Sequence, residues 1–206
     1  MRIWVWLAIF ALALLGRWEH SDTITAAIVP LALMFLGFAS PHALRGAIVV
    51  VALVEAVAWW LGGAGLMIDL LPAAIAAFVG WLFARSLLRP RTPLIVRAIA
   101  AIDGETYLRD AAVVHYARRL TQLWAIFQFA LVAACLLCVL HERGLLLWPT
   151  LPPPRLFGAT ILPLAVATLF FGEFLLRRHL LPQAPRHTLI GFLGALGRAW
   201  PKLIEE

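Results

Sequence analysis

Glu55 stands in the middle of an apolar run at 44–61, where a carboxylate costs about 2.5–3.5 kcal/mol on insertion scales. It is therefore an intramembrane polar candidate. It can relay a proton or touch a substrate, or it can stay protonated and hydrogen-bond a neighbouring helix, and the sequence leaves both open. Asp69 and Glu173 fall near the ends of other apolar runs, which fits interfacial positions, and Glu173 precedes Arg177 by four residues, the favourable order for a helical ion pair. Cys135 and Cys138 form Cys-x-x-Cys, which puts both thiols on one helix face. A zinc site needs about four ligands, and the chain has no second cysteine pair. His20, His42, His115, His141, His179 and His187 show no metal-ligand spacing. No metal and no cofactor are expected, and the cysteines read as small packing residues. The chain has no Gly-x-Ser-x-Gly elbow, no phosphate-binding Gly-Lys-Ser or Gly-Lys-Thr and no dinucleotide fingerprint, so the catalytic residues of any enzymatic reading stay unknown.

The elements that must position these residues are long apolar blocks. Hydrophobic residues make up 63% of the chain and charged residues 14%, against roughly 45–50% and 25% in soluble domains. The blocks lie at 3–16, 23–39, 44–61, 67–84, 120–140 and 156–176, with a short uncharged turn at 62–66. Most match the length of about 17–25 residues that a helix needs to cross a bilayer. Backbone groups in hydrocarbon must be satisfied within a helix or a closed barrel, and the run at 47–58 lacks the period-2 alternation of a barrel strand. The expectation is an all-α, polytopic transmembrane helix bundle of about six spans over 1–181. The first block is the shortest. Arg2 and Ala11-Leu12-Ala13 give it the makings of a secretory signal, but the small residues lie inside the apolar stretch rather than after it, as in a retained span.

Lys and Arg set the orientation, because cytoplasmic loops carry their excess. With the N-terminus inside, fourteen of the seventeen fall on the cytoplasmic side, and Arg17, Arg143 and Arg155 fall outside. Both termini are thus expected in the cytoplasm. The net charge of +6 belongs to this bias rather than to one polar face, so the expected partner is the lipid bilayer and not nucleic acid.

The loop at 85–119 reads as interfacial and cytoplasmic. Arg89-Pro90-Arg91-Thr92-Pro93 breaks the preceding helix, and Leu94, Ile95, Ala98, Ile99 and Ile102 then recur at helical spacing beside Arg97. After a turn at Asp103-Gly104-Glu105, residues 107–119 read as a helix running into the fifth span. The tail at 182–206 repeats the device, with Leu189, Phe192, Leu193, Leu196 and Trp200 on one face and Arg198 and Lys202 placed to meet anionic lipid. Pro30 and Pro163 fall inside spans and should kink them, and Pro152-Pro153-Pro154 stiffens the outer loop before the last span.

A further pattern lies at about 83–178. Ser86-Leu87, Pro90, Thr92-Pro93-Leu94-Ile95 and Arg97 are followed by Tyr116-Ala117-Arg118-Arg119-Leu120-Thr121-Gln122-Leu123-Trp124 with Phe127, then by Phe171-Gly172-Glu173 with Arg177-Arg178. Within it, Pro93, Arg97, Tyr116, Thr121, Trp124 and Gly172 are the motif positions. The stretch resembles a family of small multipass proteins of the bacterial inner membrane that occur with genes for aryl-polyene and xanthomonadin-type pigments, whose polyene chains are built on acyl carrier proteins.

The resemblance implies a component of a pigment or specialised-lipid pathway, with a polyene lipid or enzymes linked to an acyl carrier protein as partners. Arg118, Arg119, Arg177 and Arg178, with Glu173 among them, are the candidates for holding a phosphate or carboxylate headgroup or an acidic partner. The expected function is an accessory or transport component. A membrane-embedded acyl-transfer or other lipid-modifying enzyme, drawing on Glu55, Glu173, Asp69 or His115, is the alternative, and a scaffold recruiting soluble biosynthetic enzymes is another.

Overall fold

The computed structural model describes residues 42–88, 90–147 and 150–180, together with Gly191, Gly194 and Ala195. The expected spans at 3–16 and 23–39 and most of the tail at 182–206 lie outside these residues, as do Arg89 and the side chain of Arg178. Every regular element among the described residues is helical. In chain order these are α1 (His42–Ser86), α2 (Leu94–Asp103), a 3-10 turn (Glu105–Arg109), α3 (Ala111–Glu142), α4 (Pro154–Leu156), a π-turn (Phe157–Ile161) and α5 (Leu162–Leu180).

Gly63–Ser86, Ala111–Glu142 and Pro154–Arg177 are long and apolar enough to cross a membrane. They contain the expected blocks at 67–84, 120–140 and 156–176. Their 24, 32 and 24 residues rise about 36, 48 and 36 Å at 1.5 Å per residue, against about 30 Å of hydrocarbon. The helix α3 is thus longer than a span requires, and its first turns, carrying His115, Arg118 and Arg119, make up the excess. Large apolar side chains face outward, among them Leu123, Ile126 and Phe129 on α3 and Leu164, Phe171 and Leu175 on α5. An outward apolar surface of this kind suits a lipid solvent.

Two of the expected runs share α1. The backbone leaves helical geometry at Gly63, with φ 67° and ψ −162°, a conformation open to glycine and strained for any residue with a side chain. The turn expected at 62–66 is therefore compressed to a single non-helical residue. The shorter apolar stretch Ile48–Leu61 precedes it.

The chain divides into two compact units, one of Met1–Ile75 with Val132–Ala159 and one of Ala76–Leu131 with Thr160–Glu206. In the first unit, the backbone carbonyl of Asp69 accepts a hydrogen bond from Cys135 Sγ at 3.7 Å, and the Asp69 carboxylate meets Arg155 Nε at 3.7 Å. Pro72 lies against Gly158 so closely that a Cβ on Gly158 would run into the proline ring. The chain continues through the π-turn to Pro163. A regular helix there would leave the carbonyl four residues before Pro163 without its donor, and a π-turn is how helices absorb such an interruption. Where the sequence suggested a kink at Pro163, the chain carries this widened turn just ahead of the proline.

In the second unit, α2 is the short amphipathic helix that the apolar spacing predicts. Its apolar face is covered by protein. Leu94 packs with Phe83, while Val96 and Ile99 pack with Ala117, Tyr107, Leu108, Val113 and Val114. The ring of Phe83 stacks on Trp124 with centroids 5.8 Å apart, and Trp124 meets Phe127 edge-on at 6.1 Å.

Candidate functional site

The N-terminal residues of a helix carry amide N–H groups without intrahelical partners, and Pro93 before α2 offers no side-chain cap. Two hydroxyls from other elements take that role. The Leu94 N–H donates to Ser86 Oγ at 2.9 Å, and the Ile95 N–H donates to Thr121 Oγ1 at 3.4 Å. Each hydroxyl donates in turn to its own helix, Ser86 to the Phe83 carbonyl and Thr121 to the Ala117 carbonyl, both at 2.7 Å. Ser86 and Thr121 are buried as a result, and they fix the start of α2 against the end of α1 and the body of α3.

Two further polar pairs belong to the same unit. The Tyr116 hydroxyl donates to Glu173 Oε1 at 3.1 Å. Arg177 Nη2 donates to Asp103 Oδ2 at 2.7 Å, with the two side chains 15% and 2% exposed. The sequence suggested Glu173 with Arg177 as a helical ion pair. The two do sense each other electrostatically, but each hydrogen-bonds a residue of another element, so both act as ties between helices.

The motif positions thus receive distinct structural roles. Pro93 precedes the capped N-terminus of α2, Thr121 caps it, Trp124 packs on Phe83, and Tyr116 holds Glu173. Arg97 lies half-buried on α2. Gly172 is exposed, and a Cβ there would meet nothing within 4 Å, so crowding does not explain it. Among the headgroup candidates, Arg118 and Arg119 are exposed at the start of α3, whereas Arg177 is engaged by Asp103.

At the junction of α1 and α2 the motif residue Arg97 is joined by Arg85 and Arg91, a grouping that the sequence did not reveal. Arg91 and Arg97 lie near enough to Arg85 for their charges to act on it, and the Arg85 guanidinium sits 5.0 Å from the centre of the Trp81 ring. The sequence points to arginines at the inner ends of the fifth and sixth spans. The signal for this second group was the density of arginines around the break at Arg89-Pro90-Arg91. Guanidinium forks suit phosphate or carboxylate.

In the first unit, Glu55 is 2% exposed, and neither carboxylate oxygen has a hydrogen-bond partner among the described residues. Asp69 is engaged by Arg155. Cys135 and Cys138 are buried free thiols, and among the described residues no group of three or more His, Cys, Asp or Glu side chains is placed to hold a metal ion.

Set beside known proteins, the chain matches no family model, no curated protein and no solved structure.

Proposed function

We propose that this chain is an accessory or transport component of a bacterial inner membrane, serving a pathway for an aryl-polyene pigment or a related specialised lipid. The single observation that carries the reading is the placing of Arg91 and Arg97 near Arg85, which itself lies over Trp81, at the end of an apolar helix long enough to span. An amphiphile with an apolar tail and an anionic end fits such a junction, its tail along the outward apolar faces and its phosphate or carboxylate among the guanidiniums. Arg118 and Arg119 add exposed positive charge within the same unit. The pathway assignment rests on the resemblance of residues 83–178, and the orientation, with both termini in the cytoplasm, rests on the distribution of Lys and Arg.

The Tyr116–Glu173 pair favours a second reading, a lipid-modifying enzyme, because it holds a hydroxyl against a carboxyl group at 3.1 Å. Deleting the gene and fractionating the cell lipids separates the two. Finished product held at the inner membrane supports the transport reading, and a pool of precursor without product supports the enzyme. Normal lipids in normal places overturn both. A variant carrying Arg85→Gln, Arg91→Gln and Arg97→Gln should reproduce the deletion phenotype at normal membrane abundance.

A further inference from the structure

Glu55 is the one acid in a helical stretch that is otherwise apolar. On its own helix the nearest charged residues in sequence are Arg45 and Asp69, ten and fourteen positions away, the first about 15 Å along the axis at 1.5 Å per residue and the second beyond the break at Gly63. Most of the stretch faces outward, with Val49, Val50, Leu53, Val57 and Trp60 exposed, while Ile48 and Glu55 are buried and Ala52 is half-buried between them. Trp59, one turn beyond Glu55 on the same face, is exposed, so the buried patch around the carboxyl is short and apolar. Among the described residues no hydrogen-bond donor meets either oxygen.

An ionised carboxylate without a partner is far costlier in such a place than a neutral acid, and an unmet neutral acid still costs a few kcal/mol. A group of that kind contributes little to holding a fold together. Its chemistry is that of a proton carrier, because gaining or losing the proton is the response open to it.

We propose that Glu55 is a proton-binding site within the apolar part of the first unit, and that proton exchange there is coupled to the handling of the lipid. The coupling rests on the transport reading above. The proton site itself does not.

The test uses the full-length protein in native membrane vesicles. Dicyclohexylcarbodiimide enters apolar regions and reacts with protonated carboxyl groups: the carboxyl proton moves to the reagent, the carboxylate oxygen adds to its central carbon, and rearrangement leaves an N-acylurea carrying the whole reagent with no group lost. Peptide mass spectrometry should find the adduct on Glu55 at neutral pH and not in the Glu55→Gln variant, with labelling falling as the pH is raised. Lipid placement should be lost in Glu55→Gln and kept in Glu55→Asp, with both variants at wild-type abundance in the membrane. Absence of label on Glu55 in vesicles where another carboxyl is labelled overturns the proposal, and so does protection of Glu55 by sodium ions, which would make it a cation site. Label on Glu55 together with full lipid placement in Glu55→Gln overturns the coupling. Normal lipids in the deletion strain would end the transport reading and the coupling with it, while leaving the labelling result to stand by itself.

Discussion

Arg177 reaches from α5 to Asp103, the last residue of α2, and donates a hydrogen bond of 2.7 Å to a carboxylate that is 2% exposed. The contact spans 74 residues of sequence and ties the C-terminal end of α2 to the final helix. Removing one member of a buried pair leaves the other charge without its counterpart, at a cost of about 3–5 kcal/mol. Arg177→Ala should therefore lower the thermal midpoint in detergent strongly, and Asp103→Asn less, because the amide still accepts a hydrogen bond. A double-mutant cycle over the pair should give a clear coupling energy, and a value near zero would show that the two side chains act separately.

The opposite end of α2 is fixed by neutral groups, and its losses should be smaller. Ser86→Ala and Thr121→Val each remove one acceptor for an amide of the first turn, at about 1 kcal/mol per cap. Amide hydrogen exchange should accelerate at Leu94 in the first variant and at Ile95 in the second. Unchanged exchange at both would mean that other groups cap the helix.

Tyr116 and Glu173 supply a contrast between structure and chemistry. Tyr116→Phe deletes the 3.1 Å hydrogen bond and should cost about 0.5–1.5 kcal/mol of stability. Under the transport reading, lipid placement in Tyr116→Phe cells should match that of the wild type once protein abundance is equalised. Lipid fractions from such cells that lack the product and contain its precursor would point to the enzyme instead.

Gly158 leaves no room for a side chain beside Pro72. In Gly158→Ala the new Cβ would meet the Pro72 ring, and overpacking of this kind costs about 1–3 kcal/mol. Melting of the purified protein should show the loss, and Pro72→Ala in the same chain should restore part of it by clearing the space. No recovery in the double variant would place the strain elsewhere.

The helices at 63–86, 111–142 and 154–177 were legible because a continuous apolar run states its own length, and the break at Gly63 was legible because Gly62-Gly63 and Gly65 interrupt such a run. The helix α2 could be read from the spacing of Leu94, Ala98 and Ile102. What covers its apolar face could not, because Ala117 and Val113 come from another element. The same limit hid the partners of Tyr116 and Arg177, which lie 57 and 74 residues away, and local spacing offered Glu173 and Arg177 to each other instead. Pro72 shows a different limit. Pro72, like Pro30 and Pro163, lies inside an apolar run, and nothing in the neighbourhood of a proline says which glycine will face it.

The groups that fix α2 are unequally placed in the order of synthesis. A chain is made from its N-terminus, so Ser86 is present before α2 leaves the ribosome, whereas Thr121 follows later and Arg177 later still. The nascent helix therefore has one anchor at first, gains its second when α3 enters the membrane, and is tied at its far end only when α5 arrives. Chains halted before residue 177 would hold α2 at one end alone, which makes the exposure of Asp103 to a water-soluble carboxyl reagent a direct clock for completion of the second unit.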